Sequence, residues 1–216
     1  MKFLSINIIC RSKINKRVYI GVKILILLFK KIIIKSISIL ALLFFAKSLF
    51  AFSYTLDDYA KKPFGNVLFI RHTLAPGFGD PQNFILDDCS TQRNLNGEGR
   101  KQAFRIGEKI KKAGIKFTKI YSSQWCRCLE TAKYMNLGKI DTEQGLNSFF
   151  QGIVAKDKTL SILQKRLKSI ETNHQFVLMI THQVTINAIT GINVPSGGAV
   201  AFKTNSGESR EVRILD

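Results

Sequence analysis

The chain has 216 residues, of which 45% are hydrophobic, and a formal net charge of +18. That hydrophobic content excludes a disordered chain, and four cysteines are too few for a disulfide-built scaffold. The charge is divided unevenly, because residues 1–53 hold ten basic residues and no acid, whereas residues 54–216 hold 23 basic and 15 acidic residues. More than half of the excess positive charge therefore belongs to the N-terminal segment.

Residues 1–53 are typical of a targeting segment. Four lysines precede an uncharged, apolar run of 11 residues from Ser36 to Ala46, and small residues follow at positions 51 and 53. This run is shorter than the roughly 20 apolar residues that span a bilayer, but it has the length of a signal-peptide core behind a basic region. We therefore expect residues 1–53 to be a signal peptide, cleaved after residue 51 or 53, that directs the chain to the periplasm or out of the cell.

An uncleaved membrane anchor is the alternative for the same segment. A spanning stretch from Val22 to Phe50 would place Lys30, Lys31 and Lys35 inside the bilayer. Each buried lysine costs roughly 2.5–3.5 kcal/mol, which favours export over anchoring. Retention of the segment would instead tie the chain to a membrane.

Three cysteines, Cys89, Cys126 and Cys128, follow the targeting segment. In an oxidising compartment, Cys89 can pair with either Cys126 or Cys128. Cys126 and Cys128 are too close along the chain to bridge each other comfortably. The alternative is that all three are small buried side chains. A C-x-C pair without a second pair of ligands is a poor zinc signature, so we expect no metal.

Short apolar runs alternate with helical periodicity through residues 54–216. The predicted strands are residues 66–71, 119–122, 176–180, 199–203 and 211–215. The predicted helices run from an Asn96 N-cap to Gly114 and over residues 127–135, 158–170 and 184–189. Pro and Gly residues predict a long loop over 73–93. This alternation predicts an α/β fold, a three-layer α/β/α sandwich with a mostly parallel central sheet whose strands are covered on both faces.

Polar residues stand where three of the predicted strands end. The first strand ends in Arg71-His72-Thr73, the second runs into residues 122–127, which end in Arg127, and the third ends in Thr181-His182. Ligands in such folds bind where strands end and helices begin. The remaining histidine, His174, lies in a polar stretch and is expected at the surface.

Four sequence motifs, taken in chain order, resemble the histidine phosphatase (phosphoglycerate mutase-like) superfamily. They are FIRHT at 69–73, LNGEGRKQA at 95–103, YSSQWCRCLETA at 121–132 and MITHQV at 179–184. The resemblance spans residues 66–202, and the loop that follows the first motif further resembles a small exported subgroup. It implies the phosphoglycerate mutase-like version of the predicted sandwich, with its site at the strand ends.

The resemblance implies a catalytic set of Arg71, His72, Arg127 and His182. A neutral imidazole at His72 can attack phosphorus and become a phosphohistidine. Arg71 and Arg127 match phosphate oxygens with paired donors and keep their charge. His182, when protonated, adds a donor to the same oxygens. Two hydroxyls are weaker substrate-binding candidates, those of Thr73 and Ser123.

A general acid should protonate the leaving oxygen. Mutase-like members of the family carry a glutamate where this chain has residues 146–149, and phytase-like members carry an aspartate where it has Gln183. Other carboxylates must therefore be considered. The candidates are Asp87 and Asp88, which we favour, together with Glu143 and with Asp80 of the same loop.

These observations predict a phosphomonoester hydrolase that acts through a phosphohistidine on an unidentified substrate outside the cytoplasm. One alternative is a membrane-tethered phosphoprotein or phosphohistidine phosphatase, and another is a phosphate-binding module without turnover. The expected partner is a small phosphorylated substrate, with no cofactor and no metal, because the protein itself supplies the cations. The dispersed +8 of residues 54–216 accompanies no nucleic-acid-binding motif, so we expect no nucleic-acid partner.

Overall fold

The structure, a computed structural model, describes residues 20–21, 23, 26–36, 54–172 and 175–214. Contacts divide the chain into two units, residues 1–52 and 53–216. In the first unit, residues 26–36 are helical. Within the described ranges, no helix combines the length and the apolar character of a membrane span. The predicted cleavage site at residue 51 or 53 and the predicted surface position of His174 lie outside the described residues.

The second unit alternates strands with helices. Its helices are α1 Leu56–Lys61, α2 Gly97–Lys112, α3 Cys126–Met135, α4 Lys156–Thr172 and α5 Gln183–Thr190. Its strands are β1 Val67–Arg71, β2 Lys119–Ser122, β3 Ile140–Thr142, β4 Val177–Thr181, β5 Ala199–Phe202 and β6 Ser209–Val212. Short 3₁₀ turns occupy Cys89–Thr91, Gln144–Leu146 and Phe150–Gly152.

The six strands form one sheet in the order β3-β2-β4-β1-β5-β6. β3, β2, β4 and β1 are parallel to one another, while β5 and β6 close the sheet in antiparallel pairs. The register places Arg71 opposite Thr181 and Ser122 opposite Ile180. The carboxyl ends of β1, β2 and β4 therefore meet at one edge, which is where the site is built.

Both faces of the sheet are covered, as the apolar strands require. In β1, Leu68 and Ile70 face a core shared with α2 and α3, whereas Val67 and Phe69 face a core shared with α4 and α5. This alternation follows from the two-residue period of a strand. The predicted three-layer α/β/α sandwich with a mostly parallel sheet is confirmed.

Every predicted strand and helix is present, most with ends shifted by no more than two residues, and β6 ends three residues earlier than predicted. Asn96 caps α2, because its side chain accepts from the backbone N–H of Gly99 at 2.8 Å. Gly191 ends α5 in the left-handed conformation, with φ at +71°. α1 and β3 were not predicted, because they are six and three residues long and too short to show a period.

A disulfide joins the long loop after β1 to the first residue of α3. Cys89 pairs with Cys126, with their Cα atoms 5.7 Å apart, and Cys128 is a free, buried thiol. The structure thus selects one of the two pairings that the sequence left open. The disulfide ties the loop to α3, the helix that carries Arg127.

Candidate active site

The four residues of the predicted catalytic set lie together at the carboxyl edge of the sheet. Arg71 is the last residue of β1, and the backbone N–H of His72 donates to the Thr181 carbonyl at 2.9 Å. His182 follows β4 and is the N-cap of α5, while Arg127 lies in the first turn of α3. The rings of His72 and His182 are 5.5 Å apart, centroid to centroid. Residues separated by more than a hundred positions are therefore brought into one cluster.

The imidazole of His72 is buried and held in one tautomer. Its Nδ1 lies 2.9 Å from the carbonyl oxygen of Thr73, which can only accept, so Nδ1 carries the proton and Nε2 keeps its lone pair. Burial, the charge of Arg127 and, to a smaller extent, the charge of Arg71 lower the pKa of His72 to about 3. His72 therefore presents a neutral nitrogen nucleophile at neutral pH.

His182 is oriented by a chain of hydrogen bonds. Ser123 Oγ donates to Asn147 Oδ1 at 3.1 Å and lies 2.9 Å from His182 Nε2, so it accepts the Nε2–H. The lone pair on Nδ1 then faces Arg127 Nη2 at 3.4 Å. Burial and the charge of Arg127 hold the pKa of His182 well below its usual value. The ring is neutral in the free protein, and a bound phosphate dianion would favour its protonation.

The two arginines of the set each keep a buried donor unused. Among the described residues, neither Arg71 Nε nor Arg127 Nε has a hydrogen-bond partner. Arg71 is anchored by Nη1, which donates to the Val194 carbonyl at 3.0 Å. Burial lowers the pKa of Arg71, and the neighbouring charge of Arg127 lowers it further because the two cations repel each other. Buried, unsatisfied N–H groups are costly, and an anion would satisfy both.

A buried carboxylate from the long loop fixes the orientation of Arg127. Arg127 Nη1 donates to Asp80 Oδ1 at 2.7 Å, and Nη2 donates to Asp80 Oδ2 at 3.1 Å. Both side chains are only 3% exposed. Because Asp80 occupies the end of the planar guanidinium, the side formed by Nε and Nη2 is left for a phosphate.

Asp80 has two further donors. The backbone N–H of Arg93 donates to Oδ1 and the Trp125 Nε1–H donates to Oδ2, both at 3.1 Å. Burial by itself raises the pKa of Asp80, but the hydrogen bonds and charge of Arg127, with these two donors, bring it below its usual value. Asp80 is thus a fully bonded carboxylate, suited to hold Arg127 in place rather than to deliver a proton.

Arg93 is a third arginine of the site, and the sequence did not predict its place there. Its Nε donates to the Gly79 carbonyl at 2.7 Å, and its Nη1 donates to the Ala75 carbonyl at 2.5 Å. Arg93 therefore folds the loop back on itself while adding positive charge beside Arg127. The sequence signal for Arg93 was a basic residue at the end of the predicted loop over 73–93.

The two predicted substrate-binding hydroxyls are engaged with the protein. Thr73 Oγ1 lies 3.1 Å from Thr131 Oγ1, whose hydroxyl donates to the Arg127 carbonyl. Ser123 Oγ accepts from His182 Nε2. Both residues are fully buried. The structure thus places Thr73 and Ser123 behind the catalytic set, where they position other residues.

The two favoured acid candidates, Asp87 and Asp88, and the further candidate Glu143 lie away from the catalytic set. Asp87 and Asp88 are exposed, and Asp88 Oδ1 accepts from the backbone N–H of Ser90 at 2.9 Å as a helix cap. Glu143 is buried, and its Oε2 accepts from Arg166 Nε at 2.5 Å. None of them lines the cavity that opens onto the catalytic set.

One cavity of about 440 Å³ opens onto the catalytic set. Arg71, His72, Arg93, Arg127 and His182 line its buried part. Its other lining residues come mainly from the loop after β1, from Phe150 and from the start of α5. The described residues contain no cluster of His, Cys, Asp and Glu that could hold a metal.

Comparison with known structures finds similar folds. The protein histidine phosphatase SixA, complexed with tungstate, is 16% identical with a TM-score of 0.47 and covers 67% of this chain and 92% of its own. A mycobacterial glucosyl-3-phosphoglycerate phosphatase is 13% identical with a TM-score of 0.46, and the match covers 69% of this chain and 98% of the phosphatase. A phosphoserine phosphatase from Entamoeba histolytica, in complex with 3-phosphoglyceric acid, is 16% identical with a TM-score of 0.46. The match covers 67% of this chain and 93% of the phosphatase. No curated protein sequence matches this chain.

A family model also matches the sequence. The model of the histidine phosphatase superfamily, branch 1, matches residues 87–169, a span that includes Arg127 and excludes both histidines of the site. The histidines lie in the motifs that carried the resemblance, at the ends of β1 and β4. The match covers 83 of the 216 residues, so residues 87–169 are similar to the histidine phosphatase superfamily.

Proposed function

We propose that this chain hydrolyses phosphomonoesters through a phosphohistidine on His72. The observation that carries the proposal is the pairing of a neutral nucleophile with unused cationic donors in one cavity. His72 Nε2 has a free lone pair, and the Nε–H groups of Arg71 and Arg127 are buried without partners. A phosphoryl group offers an electrophilic phosphorus to the His72 lone pair and anionic oxygens to the two arginine Nε–H groups.

In the first step, His72 Nε2 attacks phosphorus in line. The N–P bond forms as the bond between phosphorus and the ester oxygen breaks, and the leaving oxygen takes up a proton from solvent water to depart as the alcohol. Arg71 and Arg127 hold the equatorial oxygens, and His182 becomes a donor as negative charge builds on them. The Nδ1–H bond to Thr73 supports the positive charge that develops on the His72 ring.

In the second step, water attacks the phosphohistidine. The new P–O bond forms as the N–P bond breaks, which returns the electron pair to His72 Nε2 and releases inorganic phosphate, while the proton that the water loses passes to solvent. Splitting the displacement into two steps lets one set of cations serve both. The cycle leaves the protein unchanged.

His72→Asn tests this proposal. With 4-nitrophenyl phosphate, the variant should lose at least a thousandfold in kcat, and acid-labile, nitrogen-linked phosphate should be trapped on the wild type alone. Asp87→Asn, an exposed change in the same unit, is the matched control and should keep wild-type turnover. Hydrolysis by His72→Asn at the wild-type rate would overturn the proposal.

We also propose that the chain acts outside the cytoplasm. The Cys89–Cys126 disulfide supports export, because such bonds persist in oxidising compartments. N-terminal sequencing of the protein from its host should find a start at residue 52 or 54. A retained segment would favour the membrane-tethered alternative.

A further inference from the structure

Two aromatic rings stand at the mouth of the catalytic cavity. Phe78 and Phe150 meet edge to face, with ring centroids 5.1 Å apart. Phe78 is 88% exposed and Phe150 is 38% exposed, and both line the cavity that also contains His72 and Arg127. Leu74, 41% exposed, lines the same opening. The cavity is therefore cationic at its buried end and apolar at its mouth.

The backbone holds Phe78 in this exposed position. Gly77 and Gly79, on either side of it, have φ values of +92° and +69°, a region that favours glycine. A Cβ on Gly79 would come within 2.7 Å of the Gln151 side chain, which itself accepts from the Asp80 N–H. Arg93 bonds the carbonyls of Ala75 and Gly79 across the same turn. The loop is thus built to display this ring beside the site.

We propose that Leu74, Phe78 and Phe150 form a subsite for the alcohol part of the substrate, and that the substrate class is phosphomonoesters of alcohols with an alkyl or aryl group. This inference rests on the proposed function, since it assigns the leaving group of the same reaction. With the phosphoryl group at His72, the ester oxygen and its substituent extend toward the mouth. A substituent that covers the two rings removes apolar surface from water on both sides.

The size of the effect follows from the exposure of the rings. A fully buried methylene contributes about fourfold to affinity, and one covered on a single side about twofold. A hexyl group has five more methylenes than a methyl group. We therefore expect hexylphosphonate to bind about 30-fold more tightly than methylphosphonate.

The test is calorimetric titration of the full chain with these two phosphonates, which cannot be hydrolysed at the P–C bond. Phe78→Ala and Phe150→Ala should each reduce the hexyl-to-methyl affinity ratio at least threefold. Phe104→Ala is the matched control, because Phe104 is 56% exposed on α2 and lines a different pocket. That variant should keep the wild-type ratio.

The outcomes separate this inference from the proposed function. A wild-type ratio near one, or a ratio unchanged in both Phe78→Ala and Phe150→Ala, overturns the subsite even if His72 is phosphorylated during turnover. A large ratio that both substitutions reduce supports the subsite even if no ester is hydrolysed. The kcat/KM values of hexyl and methyl phosphate should show the same ratio, because the two alcohols have similar pKa values.

Discussion

The ion pair between Asp80 and Arg127 offers a sharp test of how this site is held together. Asp80→Asn keeps the volume of the side chain and removes its charge. The amide retains one acceptor oxygen, but its NH₂ group faces a guanidinium that can only donate. The variant therefore leaves Arg127 as a buried cation without a counter-charge.

The structure sets the magnitude of the effect. Both partners are 3% exposed, so water cannot replace the lost contact. Removing one partner of such a pair costs about 3–5 kcal/mol. Asparagine keeps an acceptor, so we expect a loss of about 3 kcal/mol in the free energy of unfolding. For a domain of this size, that corresponds to a decrease in Tm of roughly 6–12 °C.

Urea unfolding and thermal melts measure this loss, and inorganic phosphate makes the test specific. Phosphate can neutralise the stranded Arg127, so it should raise the Tm of Asp80→Asn more than that of the wild type. Because the pKa of Asp80 is lowered on folding, its contribution is present above its ordinary value of 3.8 and is lost as the pH falls below it. Asp87→Asn is the control and should change stability by less than about 0.5 kcal/mol. Equal stability of Asp80→Asn and the wild type at pH 7 would refute the reasoning.

Two further predictions concern buried histidines and the disulfide. The pKa of His72 is lowered to about 3 and that of His182 is also lowered, so the unfolded chain binds protons below pH 6.5 that the folded chain does not. Stability should therefore fall as the pH falls from 6.5, by up to about 1.4 kcal/mol per pH unit for each histidine, in urea titrations; a flat profile would contradict buried neutral rings. Reducing Cys89–Cys126, which spans 37 residues, should cost about 4 kcal/mol. Dithiothreitol should lower the Tm of the wild type but not of a Cys89→Ser/Cys126→Ser double variant, and a wild-type Tm insensitive to reduction would contradict this.

Local patterns in the sequence were enough to predict the main elements of the fold. The apolar run before Arg71 and the helical spacing after Asn96 reflect burial on both faces of a sheet and on one face of a helix. The antiparallel orientation of β5 and β6 depends on how the chain returns to the sheet edge. The residue pattern within β5 or β6 does not indicate whether the strand runs parallel or antiparallel to its neighbour.

In the site, too, some residues were predicted from the sequence and others were found only in the folded structure. Arg71, His72, Arg127 and His182 stand where strands end or helices begin, and parallel strands end at one edge, so local sequence predicts their meeting. Asp80 and Arg93 lie in a loop without periodicity. Only the folded loop brings Asp80 to Arg127, 47 positions away, and turns Arg93 toward the cavity.

The sequence by itself determined the layered fold, because burial leaves periodic signals, and its four family-like motifs predicted the proposed catalytic set at the strand ends. The tertiary structure alone decided which carboxylate holds Arg127, which cysteine pairs with Cys89 and which rings border the cavity. These three contacts depend on the path of the loop through space. A contact between residues distant in sequence leaves no periodic pattern in the sequence around either residue, so the sequence does not predict it.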